Sequence, residues 1–222
     1  MSVDAPLPVL PITAIHGGPS PGERERLVGR ARLLARVGLA WHAVEAGVAI
    51  GAGVVAGSVA LVGFGADSLI EAAAGGVVLW LMAGTRSASR TAERRAQQLI
   101  AASFVVLAAY VGVEAVRELV AGHHPDVSWV GIGLSVVTLA TMPALAGAKR
   151  RVGEQLGSPA TASESRQTML CAYLSAALLV GLTANAVAGW WWADPAVGLV
   201  IVAVAMREAR DAWRGESCAC CP

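Results

Sequence analysis

The 222-residue chain reads as an all-α polytopic membrane protein with six transmembrane helices and both termini cytoplasmic, and three observations predict it. The composition is 55% hydrophobic and only 15% charged, with a mean hydropathy of +0.59, which soluble domains seldom reach. The apolar residues gather into six stretches of about 20 residues, the length that crosses a bilayer as a helix. The basic residues fall almost entirely between alternate stretches, as the positive-inside rule requires of cytoplasmic connections.

Taken in order, residues 1–29 are expected to form a cytoplasmic tail without fixed structure. MSVDAPLPVLPITAIHGGPSPGE is rich in Pro and Gly and has no basic n-region leading into an apolar run. The first span is expected from Val37 to Gly57 and the second from Val59 to Gly84, joined so tightly that they must form a hairpin. The third is expected from Leu99 to Ala121 and the fourth from Val127 to Ala148, with Pro143 expected to kink it. The fifth covers Thr168 to Gly189, and the sixth Trp192 to Arg207. Residues 30–214 thus make one membrane domain, followed by a Cys-containing tail, 215–222.

The orientation rests on charge. Arg24, Arg26, Arg30, Arg32 and Arg36 precede the first span, and Arg86, Arg90, Arg94 and Arg95 join the second to the third. Lys149, Arg150, Arg151 and Arg166 join the fourth to the fifth, and Arg207, Arg210 and Arg214 follow the sixth. Of the 17 Lys and Arg, Arg117 alone stands apart. A net charge of +1 offers nothing to a polyanion, so nucleic acid is not a partner. The lipid bilayer is, and a multi-pass protein of the cell (plasma) membrane is expected.

Within the second span, GFGADSLIEAAAGGVVLWLM carries Asp67 and Glu71. An acid at bilayer depth costs about 2.5–3.5 kcal/mol on insertion scales, so something must offset it. Spaced four apart, the two share one helix face, where like charges repel unless a cation or a proton lies between them. One reading makes the pair ligands to a divalent cation or steps in a proton relay. The other makes them internal hydrogen-bond partners, Asp67 with Ser68 for example.

The run ADSLIE resembles the second transmembrane helix of the cation diffusion facilitators, whose motif there is an acid or His followed four residues later by an acid. YVGVEAVRELV at 110–120 is similar to that family's third helix, and ADPAVGLVIVAVAM to its sixth. The resemblance covers about residues 30–214 and implies a divalent-metal transporter of six spans. Zinc or a similar transition metal is the implied cargo, with no resident cofactor. The ion would leave by proton-coupled alternating access, and the protein would be a homodimer. It implies metal ligands at Asp67 and Glu71, and a second ligand pair early in the fifth helix. Counted back from WWADP, that pair falls on Gln167 and Cys171, where the family has His and Asp. A thiolate there would favour softer ions, while a Gln carbonyl is a poor ligand. Ser175 lies closer in depth to Asp67 than Cys171 does. Relatives commonly continue into a cytoplasmic C-terminal domain, which this chain is expected to lack.

The remaining polar residues are weighed singly. His42 and Glu45, three apart in the first span, can share a face beside the acid pair, either as proton-handling groups supporting the ligands or as an internal hydrogen bond. Cys171 can equally be a small buried filler. Glu114, Arg117 and Glu118 are expected to pair with one another. His123 and His124 are read as a solvated turn. Cys218, Cys220 and Cys221 in ESCACCP, on the reducing side of the membrane, could capture a soft metal, anchor a lipid, or do neither. No nucleophile–base pair emerges, so the chain is not read as an enzyme. The functional alternatives are a membrane metal sensor or partner protein without transport, and a proton-coupled transporter of another small cation or solute.

Overall fold

The computed structural model describes residues 20–83, 90–122, 124–157 and 159–214, and these form six helices with no strand among them. They are α1 (Pro21–Ala56), α2 (Val59–Ala83), α3 (Arg90–Ala121), α4 (Trp129–Leu156), α5 (Pro159–Ala188) and α6 (Ala193–Arg214). Among the described residues, α1, α4 and the Glu164–Ala188 part of α5 are long and apolar enough to cross a membrane.

Several helices outrun the apolar stretches that announced them. Helix α1 starts at Pro21, so residues 21–29 are helical where the tail was expected to run to 29. Pro at the first helical position loses nothing there, and the Arg, Leu and Ala that follow are good helix formers. The helix ends at Gly57, whose φ of 66° takes the left-handed conformation and returns its N–H to the Gly53 carbonyl. Helix α4 runs unbroken through Pro143 and eight residues beyond the expected end at Ala148, to Leu156. Lys149, counted above as a loop charge, therefore sits inside a helix, and it is buried.

The inward faces are made of small residues. On α1 the buried positions Ala31, Ala35, Gly38, His42, Glu45, Ala49, Gly53 and Ala56 recur every three or four residues, while Leu33, Val37, Val44, Val48, Val54 and Val55 point outward. This inverts the soluble pattern, as expected where lipid is the solvent and helices gain by close approach. A Cβ added at Gly53 would lie 2.8 Å from the Val62 nitrogen, and one at Gly65 would lie 2.9 Å from the Ile50 nitrogen. The two backbones of α1 and α2 touch through these glycines.

The helices pack most extensively as the pairs α1–α2, α4–α5 and α3–α6. Contacts of α1 with α4 and of α2 with α5 join the first two pairs into a four-helix group, against which α6 packs through α2 and α5. A knot of polar contacts closes the end where the α1–α2, α3–α4 and α5–α6 turns gather. Ser58 Oγ donates to Asp194 Oδ1 at 2.5 Å, and the Ala60 N–H donates to Asp194 Oδ2 at 3.2 Å. The Asp126 N–H donates to the Ala56 carbonyl, and Asn185 Nδ2 to the Pro125 carbonyl. Below this knot Phe64, Leu61, Leu178 and Ile201 fill the core.

Candidate metal-binding site

The small-residue stripe of α1 is interrupted by His42 and Glu45, and these two carry the centre of the site. Three residues apart, they face α2, α4 and α5 together. Glu45 is fully buried and works as an acceptor for all four helices. Its Oε2 lies 3.3 Å from His42 Nδ1, accepts from Ser68 Oγ at 2.9 Å, and faces Cys171 Sγ at 3.6 Å. Its Oε1 accepts from Thr138 Oγ1. A carboxylate can hold that many donors in a dry interior, which is how its burial is offset.

Glu71 reaches the same place from α2. Its Oε2 lies 3.3 Å from His42 Nδ1, yet this buried oxygen makes no hydrogen bond. His42 therefore stands between two carboxylates, bonded to one. His42, Glu45 and Cys171 offer one ligand atom each, all within 4.8 Å of one another, and all three residues are buried.

Asp67 is buried one turn along α2, in an adjoining cavity. That cavity, of ≈ 10 Å³, is lined by Asp67, Glu71, Gln167 and Glu208 among apolar side chains, and has room for about one water-sized sphere. A second cavity of the same size is lined by His42, Glu71, Gln167, Lys149, Glu164 and Thr168, with Leu39 and Gly75. Glu71 and Gln167 line both and so separate them. Of the residues singled out in the sequence, Cys171, His42 and Glu45 meet at one point, Glu71 touches that point through His42, and Asp67 and Gln167 lie beside it. Ser175 is buried and donates to the Cys171 carbonyl at 2.8 Å.

Lys149 was missed. Its ammonium, 1% exposed, donates to Glu164 Oε1 at 2.8 Å and to Thr168 Oγ1 at 3.1 Å. The space for it comes from Gly38, where a Cβ would stand 2.7 Å from the Lys149 Nζ. Thr138 and Glu208 were also missed. A lone Thr in an apolar helix and an acid among flanking arginines carry no signal until the helices are assembled.

One further expectation changes. Arg117 pairs with Glu114 at 2.7 Å, but Glu118 does not complete the trio, and its Oε2 is buried without a hydrogen bond beside a cavity of ≈ 690 Å³. His124 is exposed in the α3–α4 connection as expected, and its ring also packs on Trp191, their centres 5.2 Å apart. His123, Cys218, Cys220 and Cys221 lie outside the described residues.

Comparison with known proteins gives the chain a family. The family described as the cation efflux transmembrane domain matches residues 35–214. A curated protein of Synechocystis sp., named as an uncharacterized transporter, is 29% identical over 161 residues, which are 69% of this chain and 52% of that protein. The chain spans about half the length of this curated relative.

Proposed function

The chain belongs to the cation efflux family, and from that premise we propose that it carries a divalent transition metal, zinc or an ion of similar chemistry, across the membrane in exchange for protons. All six helices span the bilayer in this reading, with both termini cytoplasmic, in the cell membrane and as a homodimer. Access to the buried acids alternates between the two faces. Asp67, Glu71 and Cys171 bind the ion, with Gln167 at the edge of the site.

The observation that carries the reading is the unsatisfied Glu71 Oε2, buried 3.3 Å from His42 Nδ1. A buried oxygen without a donor costs about 1–3 kcal/mol, more when charged, and beside a His and a Cys an arriving cation would offset that cost. A cation supplies what the protein withholds. Protons compete with metal for carboxylate and thiolate ligands, so metal binding and proton release are one equilibrium, and a proton gradient can drive the ion.

The test is metal flux into sealed vesicles containing the pure protein, scanned over zinc, cadmium, cobalt, manganese and iron, with and without a pH gradient. The expected result is flux of at least one ion that rises with the gradient. Absence of flux for all five, from protein shown to be folded, would remove transport. Topology is checked separately: a reporter after Trp192 should read outside and one at Ala162 inside, and a reporter at 162 that reads outside breaks the six-span reading.

A further inference from the structure

We propose that the ion rests on His42, Glu45, Glu71 and Cys171, with the first helix supplying two of four ligands, and that Asp67 belongs to a separate station next to it. This rests on the divalent-metal reading and refines its ligands: Glu71 and Cys171 stay at the seat, His42 and Glu45 join them, and Asp67 binds the ion only at the neighbouring station.

The geometry carries the argument. A tetrahedral zinc site with bonds of about 2.0–2.3 Å has ligand atoms separated by about 3.3–3.8 Å. The separations measured here are 3.3 Å from His42 Nδ1 to Glu45 Oε2, 3.3 Å from His42 Nδ1 to Glu71 Oε2, and 3.6 Å from Cys171 Sγ to Glu45 Oε2. Three of the six edges of the tetrahedron are already at the required length; His42, Glu45 and Cys171 stand within 4.8 Å of one another, and Glu71, which touches His42 alone, must shift toward Glu45 and Cys171 as the ion seats. The donors converge from α1, α2 and α5, so no single segment can form the site alone.

The groups behind the ligands fit the same role. Ser68 Oγ at 2.9 Å and Thr138 Oγ1 hold the Glu45 carboxylate from opposite sides, as outer partners do for metal-bound carboxylates. The Cys171 thiol already faces Glu45. When a divalent ion arrives, the thiol proton leaves to solvent, sulfur binds the metal as thiolate, and no electron is transferred. One nitrogen, one sulfur and two carboxylate donors suit zinc, cobalt or cadmium and disfavour magnesium or calcium. The cavity beside Asp67, by contrast, offers only oxygen from Asp67, Glu71, Gln167 and Glu208. Glu71 alone of the four proposed ligands reaches both places, and it would pass the ion between them.

The experiment uses cobalt(II), titrated into the full-length purified protein with Cys218, Cys220 and Cys221 changed to Ser so that the tail contributes no sulfur. The expected result is a sulfur-to-cobalt charge-transfer band together with the intense visible bands of a four-coordinate ion. Cys171→Ser should abolish the charge-transfer band. Glu45→Gln should weaken cobalt binding by at least about 100-fold, beyond the 10–100-fold cost of losing an outer partner. His42→Asn leaves the Ser68, Thr138 and Cys171 contacts of Glu45 in place, and carries the same test should Glu45→Gln fail to fold. Asp67→Asn should keep the band. A charge-transfer band that survives Cys171→Ser, no such band in the parent, or its loss in Asp67→Asn would each overturn the proposed seat. Vesicle flux on the same preparations separates the two claims. Flux without the sulfur band removes the seat and leaves transport, whereas the band without flux of any divalent ion leaves the seat and removes transport.

Discussion

Two buried carboxylates, Asp194 at the hairpin end and Glu71 in the middle of the four-helix group, show opposite solutions to the same problem. Both are acids withdrawn from water, and each sits where several helices meet. Asp194 has both oxygens bonded, by the Ser58 hydroxyl and by the Ala60 N–H. Glu71 keeps one oxygen bare, beside a His already bonded elsewhere. A satisfied buried acid ties elements together, and Glu71, unlike the equally bare Glu118, stands beside other metal-binding side chains that a cation could join to it. Family resemblance marks both segments, but the hydrogen-bond count tells the fastener from the binding group.

The sharpest way to break this contrast is Glu71→Gln. The substitution keeps the shape and removes the charge, so metal flux should vanish while the folded protein accumulates normally, its melting temperature unchanged or raised. Flux at the wild-type level would place Glu71 with the fasteners.

The complementary change, Asp194→Ala, should act on stability instead. It strands the Ser58 hydroxyl and the Ala60 N–H, and hydrogen bonds to a charged group contribute about 1.5–3 kcal/mol each. A melting temperature lower by several degrees, with cobalt affinity per folded molecule within about threefold of wild type, is the expected pair of results. Weakened cobalt binding in a normally stable protein would show that the two acids are not as different as their partners suggest.

A smaller effect is expected at Thr138→Val, which removes one of several donors to Glu45. Cobalt affinity should fall by about tenfold, the low end for an outer partner, with the charge-transfer band intact. No change would assign the orientation of Glu45 to Ser68 and His42 alone.

What the sequence disclosed follows from how far apart the partners lie along the chain. Asp67 and Glu71 are visible because they are one turn apart in an apolar segment, and His42 and Glu45 for the same reason at a spacing of three. Their meeting is not visible, because Glu45 touches Thr138 and Cys171 across 93 and 126 residues. The counting that assigned Gln167 and Cys171 had four-residue spacing to work with, and only depth inside the assembled bundle separates Cys171, beside Glu45, from Gln167, at the cavity walls. Lys149 misled for a different reason. Beside Arg150 and Arg151 it looks like one more charge at a helix end, and the vacancy that admits it is a glycine more than a hundred positions earlier. The helix ends were also underestimated, since hydropathy marks where lipid contact would begin and not where hydrogen bonding stops.

The glycine contacts between α1 and α2 limit how the protein can change shape. With Val62 and Ile50 backbone atoms standing where a Cβ at Gly53 or Gly65 would go, neither helix has side chains at these points to ratchet past the other. A longitudinal slip would drive Val, Leu or Ile into space sized for a hydrogen atom. The first hairpin is therefore built to move as one unit, and any parting has to run along its borders with α3, α4, α5 and α6. His42, Glu45 and Glu71 all ride on that unit while Cys171, Thr138 and Lys149 face it from the other bank, so a parting on that side pulls the donor set apart in a single movement.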